Sequence, residues 1–391
     1  MNYSITLLFC FLMIAACSNA GKVSDETSEI RTGAEQMDQW LPLLTGRKVA
    51  LLVNQTSLVD GVHLLDTLLK RNVNVERVFV PEHGFRGDAD AGERIEDSKD
   101  ARTGLSIISL YGSNKKPTAE QLKGLDIVIF DIQDVGVRFY TYISTLHYMM
   151  EACAENNVAL IVLDRPNPNG DYFDGPVLQQ GFESFIGMHP IPLVHGLTVG
   201  ELAEMINGEG WLKDSIKCQL SVIPVKNYTK DLVYEIPVAP SPNLPNYLSV
   251  RLYPSLCLFE ATEVSIGRGT LFPFQVIGYP DSTFGDFSFT PVSIAGMAKS
   301  PLQEGHICYG EDLRNLNASQ QRFTLSYFIK YYRLSGYDKN FITRKRWFNL
   351  LVGNDLLIRQ IEDGLSEQAI RASWEKELQK YDEMRQKYLK Y

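Results

Sequence analysis

Five short, largely apolar runs constrain this chain more than any other feature. They are Lys48-Val49-Ala50-Leu51-Leu52-Val53-Asn54, Val75 to Val80, Ser106 to Tyr111, Asp126-Ile127-Val128-Ile129-Phe130 and Val158-Ala159-Leu160-Ile161-Val162-Leu163. A strand wetted on one face alternates apolar with polar, whereas a strand covered on both faces does not, so these runs read as neighbours in a parallel sheet. Helical spacing fills the gaps between them. Leu64, Leu65, Leu68 and Leu69 share a stripe after Gly61, Thr118-Ala119-Glu120-Gln121 fits a capping box ahead of Leu122 and Leu125, and Ile143, Leu146, Met150 and Cys153 recur at helical steps. The alternation predicts a doubly wound α/β domain with a mostly parallel sheet.

Past Gly170 the rhythm changes. Thr198-Val199-Gly200-Glu201 caps a helix that buries Leu202 and Ile206 and stops at Gly208, and Gln219 to Val225 is a further strand. Ala239-Pro240-Ser241-Pro242-Asn243-Leu244-Pro245-Asn246 lacks three backbone donors and reads as an extended connection. The domain boundary is expected soon after it, giving a first domain over 46–250 and a smaller α+β domain over 251–391. Ile370, Trp374, Leu378, Tyr381 and Tyr388 predict one terminal helix that packs as a closure. With 391 residues, 45% of them hydrophobic, the chain is long enough for two such cores.

The net charge of −9 leaves no basic footprint for nucleic acid, and an anionic ligand would need a local group of cations. Residues 3–16 form an apolar stretch too short for a membrane span, which reads as an export signal within residues 1–20, ahead of a polar linker over 21–45. It ends in Ile14-Ala15-Ala16-Cys17, the pattern before a lipidated cysteine; cleavage after Ser18-Asn19-Ala20 would instead release a free periplasmic protein. A membrane contact is expected only through that anchor. Cys153, Cys218, Cys257 and Cys308 are dispersed without metal-site spacing and read as buried free thiols.

No GxGxxG follows the first run, no GxxxxGK[ST] occurs, and there is no GxSxG elbow, so neither a nucleotide cofactor nor a serine hydrolase is indicated. What the runs deliver instead is carboxylates. Val75 to Val80 leads into Pro81-Glu82-His83-Gly84-Phe85-Arg86-Gly87, and the fourth run leads into Asp131-Ile132-Gln133-Asp134-Val135-Gly136-Val137-Arg138-Phe139-Tyr140. Ligands of parallel sheets bind beyond the carboxyl ends of the strands, which would bring both clusters to one rim. Cleaving a glycosidic bond needs a proton donor and a second carboxylate, and Glu82 with Asp131 is the pair by position. Each alone could equally cap a helix or pair with an arginine. His83 either orients the acid or binds substrate; a metal role with His195 and Asp131 matches no ligand spacing. Asp134 and Arg138 form an ion pair or touch substrate, and Tyr140 and Tyr142 stack on a sugar or sit in the core. Arg268, between Gly267 and Gly269, offers a planar fork for a carboxylate or is a solvated turn residue. The polar stretch from Asp88 to Thr103 is a rim, a lid or a solvated loop.

Pro81 to Gly87, Phe130 to Tyr142, Asp164-Arg165-Pro166-Asn167-Pro168, Ser241-Pro242-Asn243 and Gly267-Arg268-Gly269-Thr270, in that order, resemble the NamZ-type exo-β-N-acetylmuramidases, bacterial cell-wall glycosidases. The resemblance runs from about Gly46 onward. It implies a Rossmann-like catalytic domain, a smaller C-terminal domain, a site in the cleft between them, and release of N-acetylmuramic acid from the non-reducing ends of peptidoglycan fragments. It also implies Glu82 as the acid, without settling its partner, and no cofactor. Glu263 and Ile266 stand where relatives often read Asn and Glu. Muramic acid carries a lactyl carboxylate, which Arg86, Arg138 and Arg268 would meet, with His83, Gln133, Asp134, Tyr140, Tyr142, Asn243 and Glu263 as further substrate contacts. Two other readings of the same cleft are a wall-saccharide-binding lipoprotein without activity and a metal-dependent amidase or esterase of the wall.

Overall fold

Alternate residues of the apolar runs enter two different cores, which is why the runs are continuous. Leu52, Phe79, Val128, Phe130, Leu160 and Val162 join the core on one face of a sheet. Val49, Leu51, Val53, Val78, Ile129, Ile161 and Leu163 join the core on the other. Each such side chain removed from water contributes about 1.5–3 kcal/mol, so a polar residue in place of any of these side chains would be costly on either face. The computed structural model describes residues 29–85, 97–100 and 102–391. The expected lipoprotein cysteine Cys17, the export signal and Arg86 lie outside the described residues, as does most of the stretch from Asp88 to Thr103.

The sheet has seven strands, in the spatial order Leu220–Ile223, Ala159–Leu163, Ile127–Asp131, Val49–Val53, Val75–Val80, Ser106–Ser109 and Ser98–Lys99. All neighbours are parallel except the last pair. The chain leaves Val49–Val53 in one direction and returns on its other side at Ile127–Asp131, so the strand order reverses there and a crevice opens at the carboxyl ends. The sheet is thus the doubly wound, mostly parallel one the sequence predicts. Helix Tyr142–Glu155 covers one face, with Ile143, Leu146, Met150 and Cys153 in the core as their spacing requires. Thr118, Thr198 and Asn246 each cap a helix through a complete capping box.

A separate C-terminal part carries an antiparallel sheet, with Cys308–Asp312 between Val276–Tyr279 and Phe287–Phe289. Short helices surround it, and its core residues Phe259, Phe274, Phe328 and Tyr331 are continuous with one face of the large sheet. The boundary expected at 250 falls inside helix Tyr247–Leu256, whose Arg251 reaches back to the Pro168 carbonyl at 2.9 Å and the Asp171 carboxylate at 2.7 Å. Two elements differ from expectation. The helix expected from Gly61 starts at Leu64, because Val62–His63 pairs with Leu58–Val59 through a turn at Asp60 and Gly61, both with positive φ. The single terminal helix is two, Glu367–Ala372 and Glu375–Arg385, because buried Trp374 leaves helical geometry to enter the core. The closure itself stands, with the Tyr381 hydroxyl donating to the His195 carbonyl at 2.6 Å.

Candidate active site

Three strands of the large sheet end on the same rim, and each leads to one polar group there. Glu82 lies two residues past Val75–Val80, Tyr111 follows Ser106–Ser109, and Thr141 ends the loop after Ile127–Asp131. The turn at Glu82 is tight: Gly84 N–H donates to the Pro81 carbonyl at 3.1 Å, and His83 adopts φ 69, a left-handed conformation that a side-chain-bearing residue takes only when its surroundings impose it. The Glu82 carboxylate, half-buried, accepts from Thr141 Oγ1 at 3.0 Å and from the Tyr111 hydroxyl. Burial first, and then this carboxylate, hold the Tyr111 hydroxyl well above the ordinary tyrosine range, so it stays a donor.

Opposite this rim the C-terminal part supplies a second wall, and the two enclose a cavity of about 1290 Å³. Tyr253, Cys257, Glu260, Arg268, Phe274 and Trp347 line the far side. Arg268 sits in a turn between two glycines with φ 81 and 80, and its guanidinium lies 5.1 Å from the Phe274 ring centroid and 2.6 Å from Glu260 Oε1. Lys115, Lys299 and Arg344 also line the cavity, so among the described residues four cations face two carboxylates, Glu82 and Glu260, in a chain whose net charge is −9. The field inside suits an anion although the molecule as a whole repels one.

Of the residues singled out from sequence, Glu82, His83, Tyr140, Asn243 and Arg268 line the cavity. Asn243 donates through Nδ2 to the Met297 carbonyl at 2.7 Å, while its Oδ1 is buried without a partner among the described residues. Asp131, Gln133, Asp134, Arg138, Tyr142 and Glu263 are not in the lining. Asp131 is 0% exposed and gripped by Arg165 at 2.6 and 3.0 Å; burial raises its pKa, but in a place no substrate reaches. Gln133 donates to the Asp134 and Pro166 carbonyls, and Asp134 accepts from the Gly136 N–H, so both hold the loop rather than a ligand. The expected Asp134–Arg138 pair does not form, because Arg138 is enclosed by backbone carbonyls. Tyr142 is buried with its hydroxyl on the Pro240 carbonyl at 3.0 Å, a bond that Tyr140 makes at 2.9 Å. Glu263 is exposed and accepts from Thr343 Oγ1 at 3.0 Å. Tyr111, Thr141 and Glu260 are residues the sequence reading did not single out, although Tyr111 ends an apolar run and Thr141 lies within Phe130 to Tyr142; the available signal was their position beyond a strand end or ahead of the Gly-Arg-Gly turn.

Among the described residues no three His, Cys, Asp or Glu side chains gather as a metal site, and no helix is long and apolar enough to cross a membrane. The four described cysteines are buried and unpaired. His195 is buried 3.6 Å from Asp134 rather than beside His83 or Asp131.

Two other histidines, His147 and His189, meet away from the cavity lining, with Nδ1 and Nε2 3.0 Å apart, His189 stacked on Trp211 and His147 3.7 Å from Glu151. Glu151 is itself held by Lys116. One bridging hydrogen bond needs a donor and an acceptor, so a doubly protonated pair would break it. Burial, the larger cause, and the charges of Lys116 and His195 nearby lower the affinity of these rings for protons, against Glu151. The unfolded chain therefore binds protons that the folded one excludes. Stability is full above the unfolded value of 6.5 and falls as pH drops through it, with a slope approaching about 1.4 kcal/mol per pH unit for each excluded proton. Urea midpoints measured from pH 8 to pH 5 are expected to show this decline, and His189→Gln to flatten it; identical slopes would assign the acid sensitivity elsewhere.

The comparisons agree with this architecture. Residues 49–248 match the model of the N-terminal part of exo-β-N-acetylmuramidase NamZ, and residues 251–391 match that of its C-terminal part. The chain is 37% identical to peptidoglycan β-N-acetylmuramidase NamZ of Bacillus subtilis (strain 168), over 99% of this chain and 98% of that protein. Two crystal structures of DUF1343 family proteins from Bacteroides fragilis NCTC 9343 superpose well. One has a TM-score of 0.86 at 45% identity, the other 0.80 at 29%, each covering 93% of this chain and 99% of the other.

Proposed function

The chain belongs to the NamZ exo-β-N-acetylmuramidase family and is a glycosidase, and from that premise we propose that it removes N-acetylmuramic acid from the non-reducing ends of peptidoglycan fragments, with Glu82 as the proton donor. One observation carries the reading: Glu82, held by Thr141 and Tyr111, faces a cavity whose lining is rich in cations and aromatic rings. N-acetylmuramic acid differs from N-acetylglucosamine by a lactyl ether that ends in a carboxylate. Arg268, Lys115, Lys299 and Arg344 give that carboxylate a favourable field that a neutral sugar would not draw on. Tyr140, Tyr253 and Phe274 supply apolar surface for a ring face. The volume accommodates the departing sugar as well as the one released.

In the reaction Glu82 transfers its proton to the glycosidic oxygen as the bond to the anomeric carbon breaks. Thr141 and Tyr111 fix the carboxyl so that the proton is delivered along one direction. The wall lies outside the inner membrane, and the pattern ending in Cys17 supports an exported or lipid-anchored enzyme acting there.

Purified protein given a chromogenic β-N-acetylmuramide and, in parallel, the matching β-N-acetylglucosaminide is expected to release the chromophore from the first and little from the second. Equal rates on both would remove the role given to the cations. Tight fragment binding without release from either would make the protein a saccharide-binding one.

A further inference from the structure

With Asp131 sealed against Arg165, the acid Glu82 lacks the second carboxylate that most glycosidases use, and among the described residues one other carboxylate lines the cavity. We propose that Glu260 is that catalytic residue, an assignment that rests on the reading of Glu82 as the acid. Glu260 lies in the turn Cys257–Ala261, on the wall opposite Glu82. Its side chain is 24% exposed, and its two oxygens are in different situations. Oε1 is fixed 2.6 Å from Arg268 Nη2. Oε2 makes no hydrogen bond among the described residues and is not one of the buried unpartnered atoms, so it is open to the cavity.

The mount is stiff. Arg268 stacks on Phe274, and the glycines on either side admit no side chain: a Cβ on Gly267 would come 2.7 Å from Val276 Cγ2, and one on Gly269 2.6 Å from the Val292 carbonyl oxygen. A carboxylate with one oxygen clamped and the other open is oriented without being neutralised by burial. That is what a group facing a developing positive charge at the anomeric carbon requires. Asp131 shows the contrast, since both its oxygens are taken by Arg165.

The bonding balances in either of two routes. In direct displacement a water oxygen bonds to the anomeric carbon, its proton goes to Glu260, and the leaving oxygen takes the proton of Glu82. In the two-step route Oε2 bonds to the anomeric carbon as the leaving oxygen takes that proton; water then replaces Oε2 and gives its own proton to Glu82. The configuration of the released sugar tells the two apart.

The test uses aryl β-N-acetylmuramides with good and poor leaving groups on the wild type, Glu260→Ala, Glu260→Gln and Glu82→Gln. Both Glu260 variants are expected to lose about 10²–10⁴-fold in kcat whatever the leaving group. Added azide should rescue Glu260→Ala and yield a glycosyl azide, because the small anion occupies the space of the missing carboxylate. The Glu82→Gln deficit should instead shrink as the leaving group improves. A folded Glu260→Ala within tenfold of wild type would overturn the proposal. So would a loss that azide does not restore in a variant that still binds N-acetylmuramic acid normally, since Glu260 would then serve only to position Arg268. Normal activity of Glu82→Gln on poor leaving groups would refute the acid assignment alone, leaving the azide result for Glu260 to stand by itself.

Discussion

Glu82→Gln is expected to lower kcat on peptidoglycan fragments by about 10²–10⁴-fold while leaving the melting temperature unchanged. The substitution keeps the size and planarity of the side chain, and its amide oxygen can still accept from Thr141 Oγ1, which now donates to Oε2 at 3.0 Å, and from Tyr111. What it removes is the transferable proton. The strained turn at His83 and Gly84 does not depend on that proton, so folding should not notice the change. Substrate affinity should persist as well, because the cations and aromatic rings of the cavity are untouched. Fragment binding by calorimetry together with sugar release by chromatography separates the two effects. A variant that releases N-acetylmuramic acid at the wild-type rate would place the acid elsewhere on the rim.

The same signal led to Glu82 and to Asp131, and only one of them lines the cavity. Both follow a buried apolar run, but Asp131 is the last residue of its strand whereas Glu82 lies beyond the end of its own. Strand alternation puts Asp131 on the side of Ile127 and Ile129, where the arginine after the next strand meets it. Glu82 is free of that alternation because the tight turn at His83 re-aims the chain. The parallel sheet was legible because burial on both faces leaves an unbroken apolar run, a one-dimensional trace of a three-dimensional fact. The Gly-Arg-Gly turn was legible too, since no other residue tolerates those backbone angles so easily. Its partner Glu260, eight residues earlier, was not, because that contact exists only once a 3₁₀ turn has folded the segment back. Tyr111 was hidden for a related reason: it reads as the end of an apolar run, and only the arrangement of the strands brings its hydroxyl to Glu82.

Arg138→Met is expected to cost about 3–5 kcal/mol of folding stability, a large part of the ~5–15 kcal/mol that holds a typical domain together. Arg138 is 0% exposed and has no carboxylate partner among its hydrogen bonds. Burial alone pushes its pKa down to about 9. Its guanidinium donates instead to four carbonyls, those of Pro176 and Ile191 at 2.8 Å each, Leu351 at 3.0 Å and Val352 at 2.6 Å. Pro176 belongs to the hairpin beside the large sheet and Ile191 precedes its second strand, while the last two lie in the helix Lys345–Val352 of the C-terminal part, so one side chain ties the two parts of the chain together. Methionine fills similar space but takes the guanidinium away from four carbonyls, of which Ile191 keeps the Leu178 N–H at 3.2 Å, and each lost bond costs about 1–3 kcal/mol before relaxation. Arg138→Lys should recover only part of the loss, because three donors on a point charge cannot span carbonyls arranged for a planar fork. Urea unfolding of the two variants against wild type measures both differences. A stable Arg138→Met protein that has merely lost affinity for N-acetylmuramic acid would return this arginine to the substrate; a destabilised one that keeps its affinity per folded molecule would show that the cleft depends on a cation the sugar never touches.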